Sequence, residues 1–375
     1  MVGGPDDPVH DSTADDGTVD DGTVDDGTVD DRPVVVTGGS GMLGGFVVRR
    51  LRAEGVPVRA VDLRVPERAG PGVTPIVADV RDAAAMRRAC AGAAALVHCA
   101  AALPSYAPGE IRSVIVDGTR TVLTAARAAG VDRVVHVSTT AVYGLPTIVP
   151  TPEEHPREPV DAYGRAKSAA EEVAEEFRDA GLCVPVLRPK TFLGPGRMGL
   201  FAMLFEWAEE GRHFPILGRG DARIQMCDVD DLTECVLLAL RADPVDANDT
   251  FNVAAAEFGT FRQDVQAVLD AAGHGRRVVS VPARPALLTL QALRRARLSP
   301  VYDRLLHKLL ADSYVSVDKV GKQLGFTPRH SNRDALLRTF AWWRTQRAAG
   351  AGPSSGRTSR EPWSQGALRV AKAFF

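Results

Sequence analysis

Residues 33–55, PVVVTGGSGMLGGFVVRRLRAEG, constrain the fold more than any other stretch of the chain. A β-branched apolar run leads into a glycine-rich turn, and then Met42, Leu43, Phe46, Val47 and Leu51 recur at helical spacing. That is strand, tight turn, helix. The alternation goes on: a strand VPVRAVD ending at Asp62, a strand near Val73 to Val77, a helix from Ala83 to Cys90, and the strand AALVHCAA. A long helix from Glu110 to Ala129, the strand RVVHVS, a helix from Ala162 to Ala180 and the strand CVPVLRP complete the series. Strands alternating with helices predict an α/β chain of Rossmann type, a doubly wound parallel sheet with ligands at the carboxyl ends of its strands.

From Met198 the alternation becomes irregular and predicts a smaller C-terminal substrate lobe. LFAMLFEWAEEGRHFPILGRG reads as a helix with an apolar face, and DVDDLTECVLLAL as a helix capped by Asp230 and Asp231. Residues 283–310, amphipathic and basic, read as core and lid packing. The expected divisions are therefore 1–31, an acidic tail; 32–190, a dinucleotide-binding domain; 191–348, a mixed lobe with segments returning to the sheet; and 349–375, a flexible tail.

Charge divides along the same lines. Residues 1–31 carry eleven Asp and no Lys, Arg or Glu, so the net charge of −2 is −11 in the tail against +9 in the rest. The tail repeats DDGTV three times from Asp15 to Val29, too polar to form a core. Cys90, Cys99, Cys183, Cys227 and Cys235 are scattered, with no C-x-x-C pair, and read as reduced thiols. No apolar run is long enough to span a membrane, and the N-terminus lacks the basic character of a leader; a cytoplasmic location, no stable membrane insertion, no nucleic-acid partner and no metal are expected.

The glycines carry the first functional signal. Gly39, Gly41 and Gly44 satisfy G-x-G-x-x-G, and Gly38, Gly41 and Gly44 satisfy T-G-x-x-G-x-x-G. Such a turn lets backbone approach a pyrophosphate, whose charge rests on the helix N-terminus at Gly41, Met42, Leu43 and Gly44. Asp62, eighteen residues after Gly44 and at a strand end, is placed to accept hydrogen bonds from ribose hydroxyls. A carboxylate there repels a 2′-phosphate, which favours NAD over NADP. Asp79 and Val80 are placed to meet the adenine, and Ala100 to Ala102, Ala101 among them, to line the crevice with small side chains. His98 and Cys99 read as packing residues.

Reacting groups follow from one coincidence. Of five tyrosines, only Tyr163 has a lysine four residues on, Lys167, where random placement gives about 0.08 such pairs. On a helix the two share a face, so Lys167 can hold its charge beside the phenol and a bound ribose. Tyr163 then serves as the base that takes a proton from a substrate hydroxyl. Ser138, Thr139 and Thr140, just past a strand end, offer a hydroxyl to polarise the substrate oxygen, and spacing does not choose among them.

The stretches TGGSGMLG, ADV, HCAA, DGTRTVL, STTAVYG, YGRAK, LRPKTFLGPG and CDVDDL, with Asp62, together resemble the extended short-chain dehydrogenase/reductase family, in its NAD-dependent epimerase/dehydratase branch, over about residues 33 to 345. The resemblance implies that Thr139 is the active hydroxyl, that Tyr143 is a substrate-side or packing residue, and that subunits pair as a homodimer through the helices near Glu110 to Ala129 and Ala162 to Ala180. Thr140, Tyr143, Thr191 and Arg197 are the expected substrate contacts. Ile115 stands where the family has an Asn associated with a proton relay or helix kink. Thr191 stands where nucleotide-sugar enzymes have Asn, and Ile224 where they have Arg, with Arg223 one position early. These departures favour a steroid-like or other hydrophobic secondary alcohol. Lys190, Arg197, Arg219, Arg223, Arg276, Arg277 and Arg284 favour an anionic one. The expected activity is oxidation of a secondary alcohol on a sugar or other small molecule, as an epimerase or dehydratase or, with net NADH turnover, as a hydroxysteroid-type dehydrogenase or ketoreductase. The remaining alternative is a non-catalytic NAD sensor.

Overall fold

Valine-rich runs bounded by turns form the strands, and helices returning over both faces of the sheet bury them. The computed structural model describes Met1 and residues 31–64, 70–196, 201–282 and 310–349. The acidic repeats, Arg197, Arg284, the amphipathic stretch from 283 and the tail from 350 lie outside the described residues. The chain divides into two units, Met1–Asp30 and Asp31–Phe375.

In chain order the second unit runs β1 (Val34–Thr37), α1 (Met42–Ala53), β2 (Val58–Asp62), β3 (Val73–Val77), α2 (Ala83–Cys90), β4 (Ala95–His98), α3 (Pro108–Arg112) and α4 (Gly118–Ala128). β5 (Arg133–Val137), α5 (Ala162–Asp179), β6 (Val186–Pro189), β7 (Phe192–Leu193), α6 (Phe201–Glu209), β8 (Phe214–Leu217) and β9 (Cys227–Asp228) follow. Then come α7 (Val229–Arg241), α8 (Pro244–Ala247), β10 (Thr250–Val253), α9 (Phe261–Ala272), β11 (Val278–Val281), α10 (Asp318–Leu324) and α11 (Asn332–Ala348).

Seven parallel strands make the main sheet in the order β10-β6-β5-β4-β1-β2-β3. The progression of strand order reverses between β1 and β4, the switch point at whose carboxyl ends such sheets bind ligands in a crevice. Val35, Leu96, Val134 and Val186 bury one face beneath α2, α4 and α5. Val36, Val97, Val135 and Leu187 bury the other beneath α1, α7 and α10. A separate core of Phe205, Trp207, Phe214, Leu336, Phe340 and Trp343 joins α6, β8 and α11 in the lobe.

Two expected helices differ in the structure. The helix from Glu110 to Ala129 is α3 and α4 joined by a π-helical segment, Ser113–Asp117, centred on Ile115. The Thr119 hydroxyl donates to Ile115 O at 2.5 Å, inside the helix ladder where such insertions deform it. The stretch after Met198 is helix only to Glu209; Gly211, at φ +65°, turns the chain into β8.

Candidate active site

The glycine turn is closed by Gly41 N donating to Gly38 O at 2.8 Å. Gly38 has φ +69°, and a Cβ there would meet Ala100 N at 2.9 Å; one at Gly41 would lie 2.9 Å from Gly38 O, and one at Gly44 would overlap that oxygen. Only glycine fits. α1 begins at Gly41 with no side-chain cap and no acidic residue in its first turn, so its N-terminal N–H groups and dipole suit an anion. α2, α5 and α7, by contrast, are capped by Asp82, Asp161 and Asp228. Met42 and Leu43 point into the core. These residues fit a dinucleotide pyrophosphate.

Asp62 buttresses the same turn: its carboxylate accepts from Ser40 N at 3.0 Å and Arg64 N at 3.4 Å. Its remaining lone pairs suit ribose hydroxyls. Asp79 turns its carboxylate onto Arg81, with Nε at 2.9 Å and Nη2 at 2.5 Å, which holds it below the usual carboxylate range. Val80 is buried, its Cγ2 against the backbone of Gly118. Ala100 is half-buried and Ala101 exposed at the crevice end of β4.

Beneath the crevice runs a hydrogen-bond chain whose direction is fixed by its ends. Thr119 spends its proton on Ile115 O, so at 3.1 Å it accepts from His98 Nε2–H. Burial, with Lys167 nearby, holds His98 down to about 3, so the ring is neutral and Nδ1 accepts from the Thr37 hydroxyl at 2.7 Å. Thr37 Oγ1 in turn accepts from Ala100 N at 3.3 Å. His98 is thus a strut between β1, the crevice end of β4 and α4, beyond mere packing. The π-helical bend survives with Ile115 in place of Asn, because a carbonyl and not a side chain receives the bond.

On α5, Lys167 is 3% exposed and donates from Nζ to Val137 O at 2.7 Å. Burial pulls its ammonium down to about 8, against the raising influence of Cys99 and Glu171. Tyr163 is half-buried one turn earlier, on the face that packs on the core. Thr139 follows the end of β5; it is half-buried and accepts from Ala141 N at 3.1 Å, which leaves its O–H as a donor. Val137 links Lys167 directly to the backbone two residues before Thr139.

Other expected contacts turn inward. Ser138 donates to Glu171, and buried Thr140 donates to Pro189 O at 3.4 Å, so neither hydroxyl faces substrate. Tyr143 takes the packing alternative: it is 1% exposed, donates to Asn252 Oδ1 and accepts from Arg188 Nη1, both at 2.8 Å. Burial pushes its phenol up to about 12. Thr191 is exposed, its carbonyl accepting from Cys227 N at 3.1 Å. Lys190 is buried and donates to Ser313 O and Oγ at 2.8 Å, while Arg219 pairs with Asp221 and Arg223 stacks over Phe258 and Tyr314. The cap of α7 is Asp228; Asp231 instead accepts from Arg329 N and His330 N, and Asp230 pairs with Arg338. No His, Cys, Asp or Glu cluster among the described residues suits a metal, and no described helix is long and apolar enough to cross a membrane.

Sequence reading missed Glu171 and Arg188. The available signal was Glu171 at the same helical spacing from Lys167 as Lys167 is from Tyr163.

The model of the NAD dependent epimerase/dehydratase family matches residues 34–254. An uncharacterized protein, y4nG, of Sinorhizobium fredii is 33% identical over 343 residues, spanning 90% of this chain and 85% of its own. The 4-hydroxy-2-methyl-3-oxo-4-farnesyl-3,4-dihydroquinoline-1-oxide ketoreductase of Stigmatella aurantiaca is 28% identical, over 80% of this chain and 93% of its own. Among solved structures, the dTDP-glucose 4,6-dehydratase DesIV of Streptomyces venezuelae, with NAD bound, superposes with a TM-score of 0.68 at 27% identity, over 84% of this chain and 98% of that one. The chain belongs to the NAD-dependent epimerase/dehydratase family, and is an NAD-dependent enzyme of the extended short-chain dehydrogenase/reductase type.

Proposed function

We propose that the protein interconverts an uncharged secondary alcohol and its ketone with net turnover of NAD and NADH. The observation that carries the chemistry is the buried Lys167, one helical turn from Tyr163 and anchored beside the Thr139 segment. A phenol titrates near 10, and lowering it to about 7 takes roughly 4 kcal/mol of preference for phenolate. An ammonium held out of water is a source of that preference, because its field is poorly screened. Thr139 donates to the substrate oxygen, and Tyr163 takes the hydroxyl proton in oxidation or returns it in reduction. The Gly38–Gly44 turn holds the pyrophosphate and Asp62 the ribose, while Lys167 faces the second ribose. When bound, NAD supplies the hydride acceptor.

The engagement of three of the basic side chains, Lys190, Arg219 and Arg223, supports an uncharged substrate. Lys190 is engaged by Ser313, Arg219 by Asp221 and Arg223 by two aromatic rings, and Ile224 fills the place of an expected Arg. The likeness to a ketoreductase supports net turnover. A homodimer through α4 and α5 belongs to the same reading and is tested by sedimentation.

Purified protein is to be assayed against hydroxysteroids, 3-oxo compounds and UDP- and dTDP-sugars, following NADH absorbance and product identity together. Net NADH change on the uncharged compounds is expected; isomerised sugar without net NADH would reject the reading. Tyr163→Phe is expected to lower kcat at least about 100-fold with NADH binding retained.

A further inference from the structure

We propose that the buried Glu171–Arg188 pair is a positioning device for the reaction, clamping both ends of the segment that carries Thr139 so that its hydroxyl is held opposite Tyr163. This rests on the catalytic roles given above to Tyr163, Lys167 and Thr139.

Tyr163, Lys167 and Glu171 recur every four residues on α5 and so form one stripe along it. Lys167 grips Val137 O at 2.7 Å, and Glu171 accepts from the hydroxyl of the next residue, Ser138. The helix carrying the base is thereby fastened at two successive residues immediately before Thr139. Arg188 takes most of the other acceptor directions of Glu171, with Nε at 3.0 and 3.1 Å and Nη2 at 2.6 Å, and Arg157 Nη1 reaches the same carboxylate at 3.4 Å. Its Nη1 donates to Tyr143 Oη at 2.8 Å and Glu153 O at 2.9 Å. Tyr143 closes the 3-10 turn Thr140–Tyr143 that Thr139 opens. One ion pair therefore holds both Ser138 and Tyr143, with Thr139 between them.

The pair is 1% and 5% exposed, and apolar residues of like volume stabilise such a site as well or better. What apolar packing lacks is direction. A hydroxyl displaced by about 1 Å loses on the order of 100-fold in rate, and the clamp fixes that displacement from both sides.

Glu171 also faces Lys167 as a charge, and the other titratable groups around Lys167 are His98 at the end of β4, Cys99 just after it, His136 from β5 and Tyr163 on α5. Its negative charge raises the ammonium against burial. Removing it lowers Lys167 further and brings the alkaline limit of activity to lower pH, which lost packing alone does not do.

The test uses Ser138→Ala and Glu171→Gln in the full chain, with kcat, KM and their pH dependence measured on the uncharged compound that the wild type turns over, and NADH affinity by fluorescence. Ser138→Ala keeps every charge: kcat is expected to fall about tenfold or more, with NADH affinity and the alkaline limit unchanged. Glu171→Gln is expected to lower kcat and move the alkaline limit to lower pH. Activity within twofold of wild type in Ser138→Ala overturns the proposal, as does a fall in kcat matched by an equal loss of NADH affinity. An unmoved alkaline limit in a folded Glu171→Gln also overturns it. If Glu171→Gln does not fold, Ser138→Ala decides alone. A wild type without turnover, or a Tyr163→Phe as active as wild type, rejects the underlying reading instead, and this inference falls with it.

Discussion

His98 shows how one side chain serves both stability and site geometry. Burial holds its pKa down to about 3, whereas a histidine in the unfolded chain titrates near 6.5. The folded state therefore binds fewer protons than the unfolded state between those values, and stability falls as pH drops through that window, by at most about 1.4 kcal/mol per pH unit for this group. His136, also fully buried and held well below its ordinary value, acts in the same sense. Urea midpoints measured from pH 7 down to 4 are expected to fall, and less steeply in His98→Asn; equal slopes would contradict the assignment. At this scale the sequence already distinguished Tyr163 and Lys167 from the other tyrosines and lysines. It could not tell Ser138, Thr139 and Thr140 apart, because each hydroxyl's role depends on whether α5, β6 or the crevice stands opposite.

Helix starts divide the elements into those closed by a side-chain cap and those, α1 among them, that are not. α5 begins with Asp161 accepting from Gly164 N at 2.6 Å, whereas α1 begins at Gly41 with no such cap. Asp161→Ala is expected to cost about 1 kcal/mol in urea unfolding and to lower kcat as well, since Tyr163 stands in the first turn of α5. Gly41→Ala places a methyl group against Gly38 O. It is expected to raise the Kd for NADH about tenfold or more with little loss of helix content by circular dichroism. Periodicity made the helices legible, but not the π-helical bend at Ile115. At that bend the Thr119 hydroxyl donates to Ile115 O, and Gly118 lies close against Val80, a side chain 38 positions away in sequence.

Across the whole molecule, the lobe's last helix is fastened to the sheet domain by acidic residues at the start of α7, two of which, Asp230 and Asp231, local reading assigned to the helix cap. Asp231 is buried and accepts from Arg329 N at 3.1 Å and His330 N at 3.0 Å, and Arg338 reaches Asp228 at 2.9 Å. Asp231→Asn is expected to destabilise the fold by about 1–3 kcal/mol, read from the urea midpoint, with the Kd for NADH unchanged because α1 and β2 are untouched. The alternation of strands and helices, the glycine turn, Asp62 at a strand end and the four-residue spacing of Tyr163 and Lys167 were all legible in the sequence alone. Each depends on spacings within one or two adjacent elements, where period and glycine geometry act locally. Which polar groups face the crevice was decided only by the tertiary structure. Tyr143 finds its partner Asn252 109 positions on, and Lys190 finds Ser313 123 positions on. A buried polar group must be paired, and only packing brings such distant partners within a hydrogen bond of one another.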